Sequence, residues 1–152
     1  MVTKGEWKVG RKLLVAYDGS DLSKKALEEV KIQAGLVDDS VIHIVTIVTP
    51  GISSNTTAVN GNLSMTDAEI IYPELESIQK QLQESGFQVE IEIITDFSQK
   101  NPGVAICDFA EEKQMDMIIV GHRGLSNLKK LFMGSVSSTI VQRASCQVLI
   151  IK

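Results

Sequence analysis

Cysteine, aromatic residues and long apolar runs are all scarce in this chain of 152 residues, which has two cysteines and 5% aromatic residues. The cysteines, Cys107 and Cys146, lie far apart without the spacing of a metal or redox motif, so we expect both to be buried and reduced. No apolar run approaches the ~20 residues that span a bilayer, and the amino-terminal stretch lacks the apolar core of a secretory signal. We therefore expect a cytoplasmic protein with no membrane partner.

An excess of positive charge is also absent, because 19 acidic residues outnumber 15 basic ones and the net charge is −4. This balance argues against non-specific nucleic-acid binding, so we expect no nucleic-acid partner. The hydrophobic share of 43% and the charged share of 22% are typical of globular proteins. The length is sufficient for one substantial core, and we expect a single domain over residues 1–152.

Five apolar runs predict β-strands. Four of them are rich in Val, Ile and Leu with little alternation, which is typical of strands buried on both faces. In the third run, Phe87–Thr95, apolar residues alternate with Gln88, Glu90 and Glu92, which predicts an edge strand with one face in solvent. The other predicted strands are Lys12–Asp18, Ser40–Val48, Asp116–Gly121 and Cys146–Lys152.

Four segments between these strands carry apolar residues at helical intervals. The second opens with a capping-box spacing at Thr66, but Pro73 interrupts it, so the helix either kinks at Pro73 or begins near it. Alternating strands and helices imply right-handed crossovers and a parallel sheet covered on both faces. The stretch Thr49–Met65 is too polar to pack, and we expect a mobile loop there. The pair Asn101–Pro102 is typical of an N-cap followed by a first-turn proline. The predicted helices are Asp21–Gly35, Thr66–Gly86, Asn101 to about Gln114, and from near Ser135 to about Arg143.

A glycine-rich segment, GHRGLSNLKKLFMGS, follows the fourth strand from Gly121 to Ser135. It is neither a Walker A loop nor the dinucleotide motif G-x-G-x-x-G. Open α/β sheets bind ligands beyond the carboxyl ends of their strands, so Asp18 and Gly121 line one crevice if the first and fourth strands are neighbours. Gly134 and Ser135 then offer amide groups to an anion at a helix start. The alternative is a turn with a serine N-cap and no ligand.

The same segment resembles the G-x2-G-x9-G-[S/T] signature of the ATP-binding branch of the universal stress protein family. KLLVAYDGSDLSKKAL resembles the first strand and helix of that family, and SCQVLIIK resembles its closing strand. The resemblance covers essentially the whole chain and implies a Rossmann-like open sheet of order 3-2-1-4-5. It also implies a stress-response regulator that acts through nucleotide-dependent conformation or partner binding, and a homodimer joined through the last strand.

The resemblance further implies a bound ATP, or ADP or AMP, with Mg or Mn at the phosphates. Asp18 is placed at the ribose or the metal-phosphate end, and it is the residue that the resemblance offers as a metal ligand. The adenine contact comes from the end of the second strand, and it falls on Thr46 or on Ile47 according to where the alignment starts. The other implied nucleotide-binding residues are Ala16, Tyr17, Val120, Gly121, Arg123, Gly124, Gly134, Ser135, Val136 and Ser137.

Two other functions stay open, a slow ATPase or phosphotransferase at the same site and a ligand-free interaction module. No Ser/His/Asp or Cys/His combination indicates a nucleophile, so we assign no catalytic residue, and hydrolysis would need a metal and a positioned water. His43 lies in an apolar strand, where we expect a satisfied core histidine and not a ligand. The roles of His122 and Arg123 stay open.

Overall fold

The computed structural model describes residues 10–50, 65–98, 100–122 and 134–152. In these ranges, parallel strands form one sheet in the order β3-β2-β1-β4-β5. The predicted strand order is therefore confirmed, and so is the position of the alternating third strand at an edge of the sheet. The strands are β1 (Lys12–Ala16), β2 (Val41–Val48), β3 (Gln88–Thr95), β4 (Met117–Gly121) and β5 (Gln147–Ile151).

The helices between these strands begin and end close to the predicted residues. The second helix begins one residue before Thr66, which places Thr66 inside the first turn and not at the N-cap position. It also continues through Pro73, so a helix start near Pro73 is wrong. The helices are α1 (Asp21–Gly35), α2 (Met65–Glu84), α3 (Pro102–Glu112) and α4 (Ser135–Arg143).

Two apolar clusters cover the two faces of the sheet. Successive side chains of a strand point to opposite faces, so Leu14 and Val15 of β1 belong to different clusters. Val15 packs in the cluster that contains the apolar residues of α1 and α2. Leu14 packs with Ile106 of α3 and Ile140 of α4. The sheet is therefore buried between two helical layers, as the continuous apolar strands predict.

Side chains cap the starts of α1 and α3. The hydroxyl of Ser20 accepts a hydrogen bond from the Ser23 N–H at 3.2 Å, and Oδ1 of Asn101 accepts one from the Gly103 N–H at 2.8 Å. Gly103 also lets α3 and α4 approach closely, because a Cβ at this position would lie 2.7 Å from the carbonyl oxygen of Val136. The first turns of these two helices thus pack against each other.

Candidate functional site

The strand order reverses between β1 and β4. The chain passes from β1 through α1 to β2 on one side, and from β4 through α4 to β5 on the other. The register between β1 and β4 ends with the pair Val15 and Ile119, although β1 continues to Ala16 and β4 continues to Gly121. The two strand ends therefore separate at the carboxyl edge of the sheet, the place where open α/β sheets bind ligands.

A tight turn after β1 holds a carboxylate at this edge. Oδ1 of Asp18 accepts a hydrogen bond from the Ser20 N–H at 2.9 Å, and Asp18 itself is half-buried. Gly19 has a φ of +82°, a left-handed conformation that glycine adopts without steric cost. One carboxylate oxygen is thus held by the backbone, and such a group can accept from a hydroxyl or ligate a hard cation.

Thr46, one of the two residues offered for the adenine contact, uses its side chain inside the protein. Its hydroxyl donates to the carbonyl of Tyr17 at 2.8 Å, and the residue is buried. This hydrogen bond joins β2 to the chain just beyond β1. The hydroxyl of Thr46 is therefore engaged in holding the strand ends together.

The backbone of Ile47 faces the gap that opens beyond the end of β1. The carbonyl of Val45 accepts from the Tyr17 N–H at 2.9 Å, so the peptide groups of Val45 face the side of β1. The carbonyl of Val48 accepts from the Asp96 N–H at 2.8 Å, so it faces the side of β3. Alternate residues of a strand direct their backbone polar groups to the same side, so Ile47 faces the side of β1. Its peptide groups therefore point into the crevice.

The start of α4 lies beside the end of β4. The carbonyl of His122 accepts from the Gly134 N–H at 2.6 Å and from the Ser137 hydroxyl at 2.9 Å. The N–H of His122 donates to the carbonyl of Ile151 at 2.8 Å, which ties the same residue to β5. The backbone of His122 thus anchors the first turn of α4 at the switch point, a role that no motif in the sequence indicated.

Gly134 is the N-cap residue of α4, with an extended backbone at φ −60° and ψ 160°. Within the described parts of the chain, no side chain caps this helix, and its first turn contains no acidic residue. Ser135 is the first helical residue, so the expected alternative of a serine N-cap is wrong. The leading N–H groups of a helix have no acceptor within the helix, and they carry the positive end of its dipole. This start of α4 is therefore suited to an anion.

Tyr17 directs its side chain away from the crevice. The residue is buried, and its hydroxyl donates to Oε1 of Glu74 on α2. Burial raises the pKa of Tyr17, and the hydrogen bond to Glu74 and its charge raise it further, so the hydroxyl stays neutral. The two residues are 57 positions apart, and the sequence carried no signal of this contact.

The other implied site residues divide into two groups. The side chains of Ile47, Val120 and Val136 pack in the cluster beneath α3 and α4, as does that of Ala16, so these residues can reach a ligand mainly through their backbones. Arg123 and Gly124 lie outside the described residues.

His43 is buried in β2, as expected, but it is not a satisfied core histidine. Its Nδ1 has no hydrogen-bond partner among the described residues, and it lies 3.6 Å from Oε2 of Glu90 on β3. The edge of the ring packs against Phe109 of α3, with the ring centroids 6.4 Å apart. The expectation that its polar atoms are satisfied in the core is therefore wrong.

Both cysteines are free thiols, as expected. Cys107 is buried, but Cys146 is only half-buried, so the expectation that both cysteines are buried is wrong for Cys146. Burial raises the pKa of each thiol. A protonated thiol is a poor nucleophile and a poor metal ligand. Among the described helices, none is long and apolar enough to cross a membrane.

An open parallel sheet with a fixed carboxylate after β1 and an uncapped helix beside β4 defines a doubly wound α/β protein with a crevice at its switch point. Comparison with known proteins shows to which family of this class the chain belongs. The model of the universal stress protein family matches residues 10–152, and the chain belongs to this family.

Relatives from bacteria and archaea show the same relationship. Universal stress protein YxiE of Bacillus subtilis is 33% identical over an alignment 152 positions long, which covers 93% of this chain and 98% of that protein. The solved structure of MJ0577 from Methanocaldococcus jannaschii has a TM-score of 0.73 at 24% identity and covers 95% of this chain and 97% of its own. A universal stress protein from Archaeoglobus fulgidus, solved in complex with dAMP, has a TM-score of 0.70 at 22% identity. The match covers 95% of this chain and 100% of that one. These two structures share the fold.

Proposed function

We propose that this chain is an ATP-binding regulatory protein of the stress response, whose nucleotide state alters its conformation or its partners. The observation that carries the proposal is the start of α4, where Gly134 supplies no side chain and the first amides of the helix have no acceptor within it. A phosphate group is well suited to such a helix start. The complex of the Archaeoglobus fulgidus relative with dAMP supports an adenine nucleotide as the ligand.

We assign the phosphates to the amides of Ser135, Val136 and Ser137 and to the preceding glycine segment, which includes Arg123, Gly124 and Gly134. The single proton of the Ser137 hydroxyl is shared between the carbonyls of His122 and Gly134, so the contribution of Ser137 to the phosphates is its N–H. The backbone N–H donors bind the phosphate oxygens, and the helix dipole favours their negative charge.

Ile47 is the residue that we assign to adenine, in preference to Thr46. Adenine presents one hydrogen-bond donor and one acceptor side by side. The backbone C=O of a strand residue can accept from that donor, and a backbone N–H can donate to that acceptor. The backbone of Ile47 faces the crevice, whereas the hydroxyl of Thr46 is already bonded to Tyr17. This choice follows from the alternation of hydrogen bonds along β2.

Asp18 takes the ribose hydroxyls or the Mg²⁺ or Mn²⁺ that accompanies the phosphates. Its carboxylate is oriented by the Ser20 N–H at the end of β1, and that strand lies between β2 and β4. The proposed adenine residue belongs to β2 and the proposed phosphate residues follow β4. Asp18 therefore lies between the two ends of the nucleotide, beside Ala16, Tyr17, Val120 and Gly121.

We further propose a cytoplasmic homodimer joined through β5. This strand is an edge of the sheet, and an unpaired apolar edge is a site for pairing with another strand. Its sequence, QVLII, is apolar and only partly buried. A second copy of the chain would cover this edge.

Calorimetry with ATP and Mg²⁺ tests the nucleotide site. ATP has roughly 31 heavy atoms, and ~0.3 kcal/mol per atom predicts a dissociation constant near the micromolar range. We expect Asp18→Ala to weaken binding by about tenfold, or ~1.4 kcal/mol. Asp96→Ala is the matched control, because Asp96 accepts from the Ser98 N–H in the same kind of turn after β3. Absence of nucleotide uptake with either Mg²⁺ or Mn²⁺ would contradict the proposal.

A further inference from the structure

One imidazole and two carboxylates lie together on the side of the sheet that packs against α3. His43 of β2 is paired in register with Glu90 of β3, and Glu92 follows two residues later on the same face of that strand. One ligand atom from each of these three residues lies within 4.8 Å of the others. We call these three residues the edge cluster.

The histidine of the edge cluster has an unpaired nitrogen. His43 is 8% exposed, and its Nδ1 is buried without a hydrogen-bond partner among the described residues. The nearest carboxylate oxygen, Oε2 of Glu90, is 3.6 Å away, which is longer than a hydrogen bond. A buried polar atom without a partner is destabilising, so this nitrogen requires an explanation.

An ion pair between His43 and the carboxylates does not explain the arrangement at neutral pH. Burial lowers the pKa of His43, and the charges of Lys12 and Lys113 lower it further. Glu90 and Glu92 act in the opposite direction, but the balance lies below the ordinary value for histidine. The ring is therefore neutral near pH 7. When Nε2 carries the proton, the lone pair of Nδ1 faces the two carboxylates, and a cation between them can bind all three groups.

We propose that the edge cluster binds a divalent cation of the zinc type, through Nδ1 of His43 and one oxygen from each of Glu90 and Glu92. Two carboxylates balance the charge of the ion, and imidazole with carboxylate is a common ligand set for such ions. With metal–ligand bonds of about 2.1 Å, tetrahedral ligand atoms lie ~3.4 Å apart, close to the separation of Nδ1 and Oε2. The side chain of Glu90 is 61% exposed and can close the remaining distance.

This cation site is separate from the nucleotide crevice. His43 precedes Ile47 by four residues in β2, which corresponds to ~13 Å along an extended strand. The edge cluster therefore lies toward the amino ends of the strands, and its cation is not the ion that accompanies ATP phosphates. Three protein ligands leave a further position for water.

Calorimetric titration with ZnCl₂ tests the proposal on the full chain, purified without a histidine tag, stripped with a chelator and free of nucleotide. We expect one zinc ion per chain. The double variant Glu90→Gln and Glu92→Gln should bind zinc at least about tenfold more weakly. The matched control is Glu76→Gln with Glu84→Gln, which removes two exposed carboxylates from α2. Glu90→Gln alone should give a smaller loss of zinc affinity. This single variant tests the proposal if the double variant folds poorly.

A second measurement identifies the ligand atom. The ¹⁵N resonance of Nδ1 of His43 should shift on zinc addition, and a Co²⁺-substituted sample should lack the charge-transfer band of a thiolate ligand. Equal zinc affinity in the double variant, an unchanged His43 resonance or a thiolate band would each overturn the proposal. These readouts do not depend on ATP binding, so the nucleotide and cation proposals can fail separately.

Discussion

The starts of α3 and α4 pack against each other at the same edge of the sheet, but only one of them has a side-chain cap. Asn101 caps α3, as Ser20 caps α1, whereas Gly134 leaves α4 without a side-chain cap in the described parts of the chain. A side-chain cap is worth about 1 kcal/mol to a helix. The amides at the start of α4 are therefore not occupied by a capping side chain, which is what the proposed phosphate site requires, whereas α1 and α3 begin with their amides capped.

The largest effect that we expect comes from the contact between these two helix starts. Gly103→Ala places a methyl group 2.7 Å from the carbonyl oxygen of Val136, 2.9 Å from Oδ1 of Asn101 and 3.0 Å from Cβ of Thr139, so the two helix starts must shift apart. The free energy of unfolding should fall by about 1–3 kcal/mol in urea denaturation. The displaced first turn of α4 should also bind ATP more weakly.

Gly35→Ala is the matched control for this substitution. Nothing lies within 4 Å of a Cβ at Gly35, so the added methyl group should leave ATP affinity unchanged and raise stability slightly. Equal stability of Gly103→Ala and the unaltered chain would show that the two helix starts are not tightly packed.

A smaller effect should follow from giving α4 the cap that it lacks. The backbone of Gly134 is extended, so an aspartate can adopt its φ and ψ, and Gly134→Asp should cap the helix. Its carboxylate should occupy the amides proposed for phosphate and repel the nucleotide, which should weaken ATP binding by about tenfold, or ~1.4 kcal/mol, in calorimetry. Gly134→Ala adds no cap and is the control. If both variants bind ATP like the unaltered chain, the start of α4 is not the phosphate site.

The smallest effect should come from removing the cap of α3. Asn101→Ala loses the hydrogen bond to the Gly103 N–H, and stability should fall by about 1 kcal/mol in urea denaturation. ATP affinity should stay within about twofold, because α3 does not begin at the switch point between β1 and β4. A loss of ATP affinity as large as that of Gly134→Asp would remove the distinction between the two helix starts.

Local patterns predicted the helices and strands and the edge position of β3, whereas the order of the sheet was implied by the family resemblance. The alternation in Phe87–Thr95 predicted an edge strand, and β3 is at the edge. The Asn101–Pro102 pair predicted the start of α3, where Asn101 is the N-cap. These signals are short-range, because capping and burial on one or both faces are written in neighbouring residues.

Contacts between distant residues could not be predicted in the same way. The hydroxyl of Tyr17 bonds to Glu74, and the carbonyl of His122 accepts from Gly134 and Ser137, but none of these pairs forms a sequence motif. Glu90 is exposed, as the alternating pattern predicts, but only the register between β2 and β3 places it beside His43. Strand register depends on the packing of the whole sheet, which single-strand patterns do not specify.

The sequence by itself determined the alternation of strands and helices, the edge position of β3, and the glycine segment that carries the family signature. Only the tertiary structure decided that Gly134, and not a serine, is the N-cap of α4, and that the backbone of Ile47 faces the crevice. The physical reason is that hydrophobic periodicity and turn chemistry are local properties of the chain. The direction of a peptide group and the availability of a helix amide depend on which distant residues the fold brings beside them.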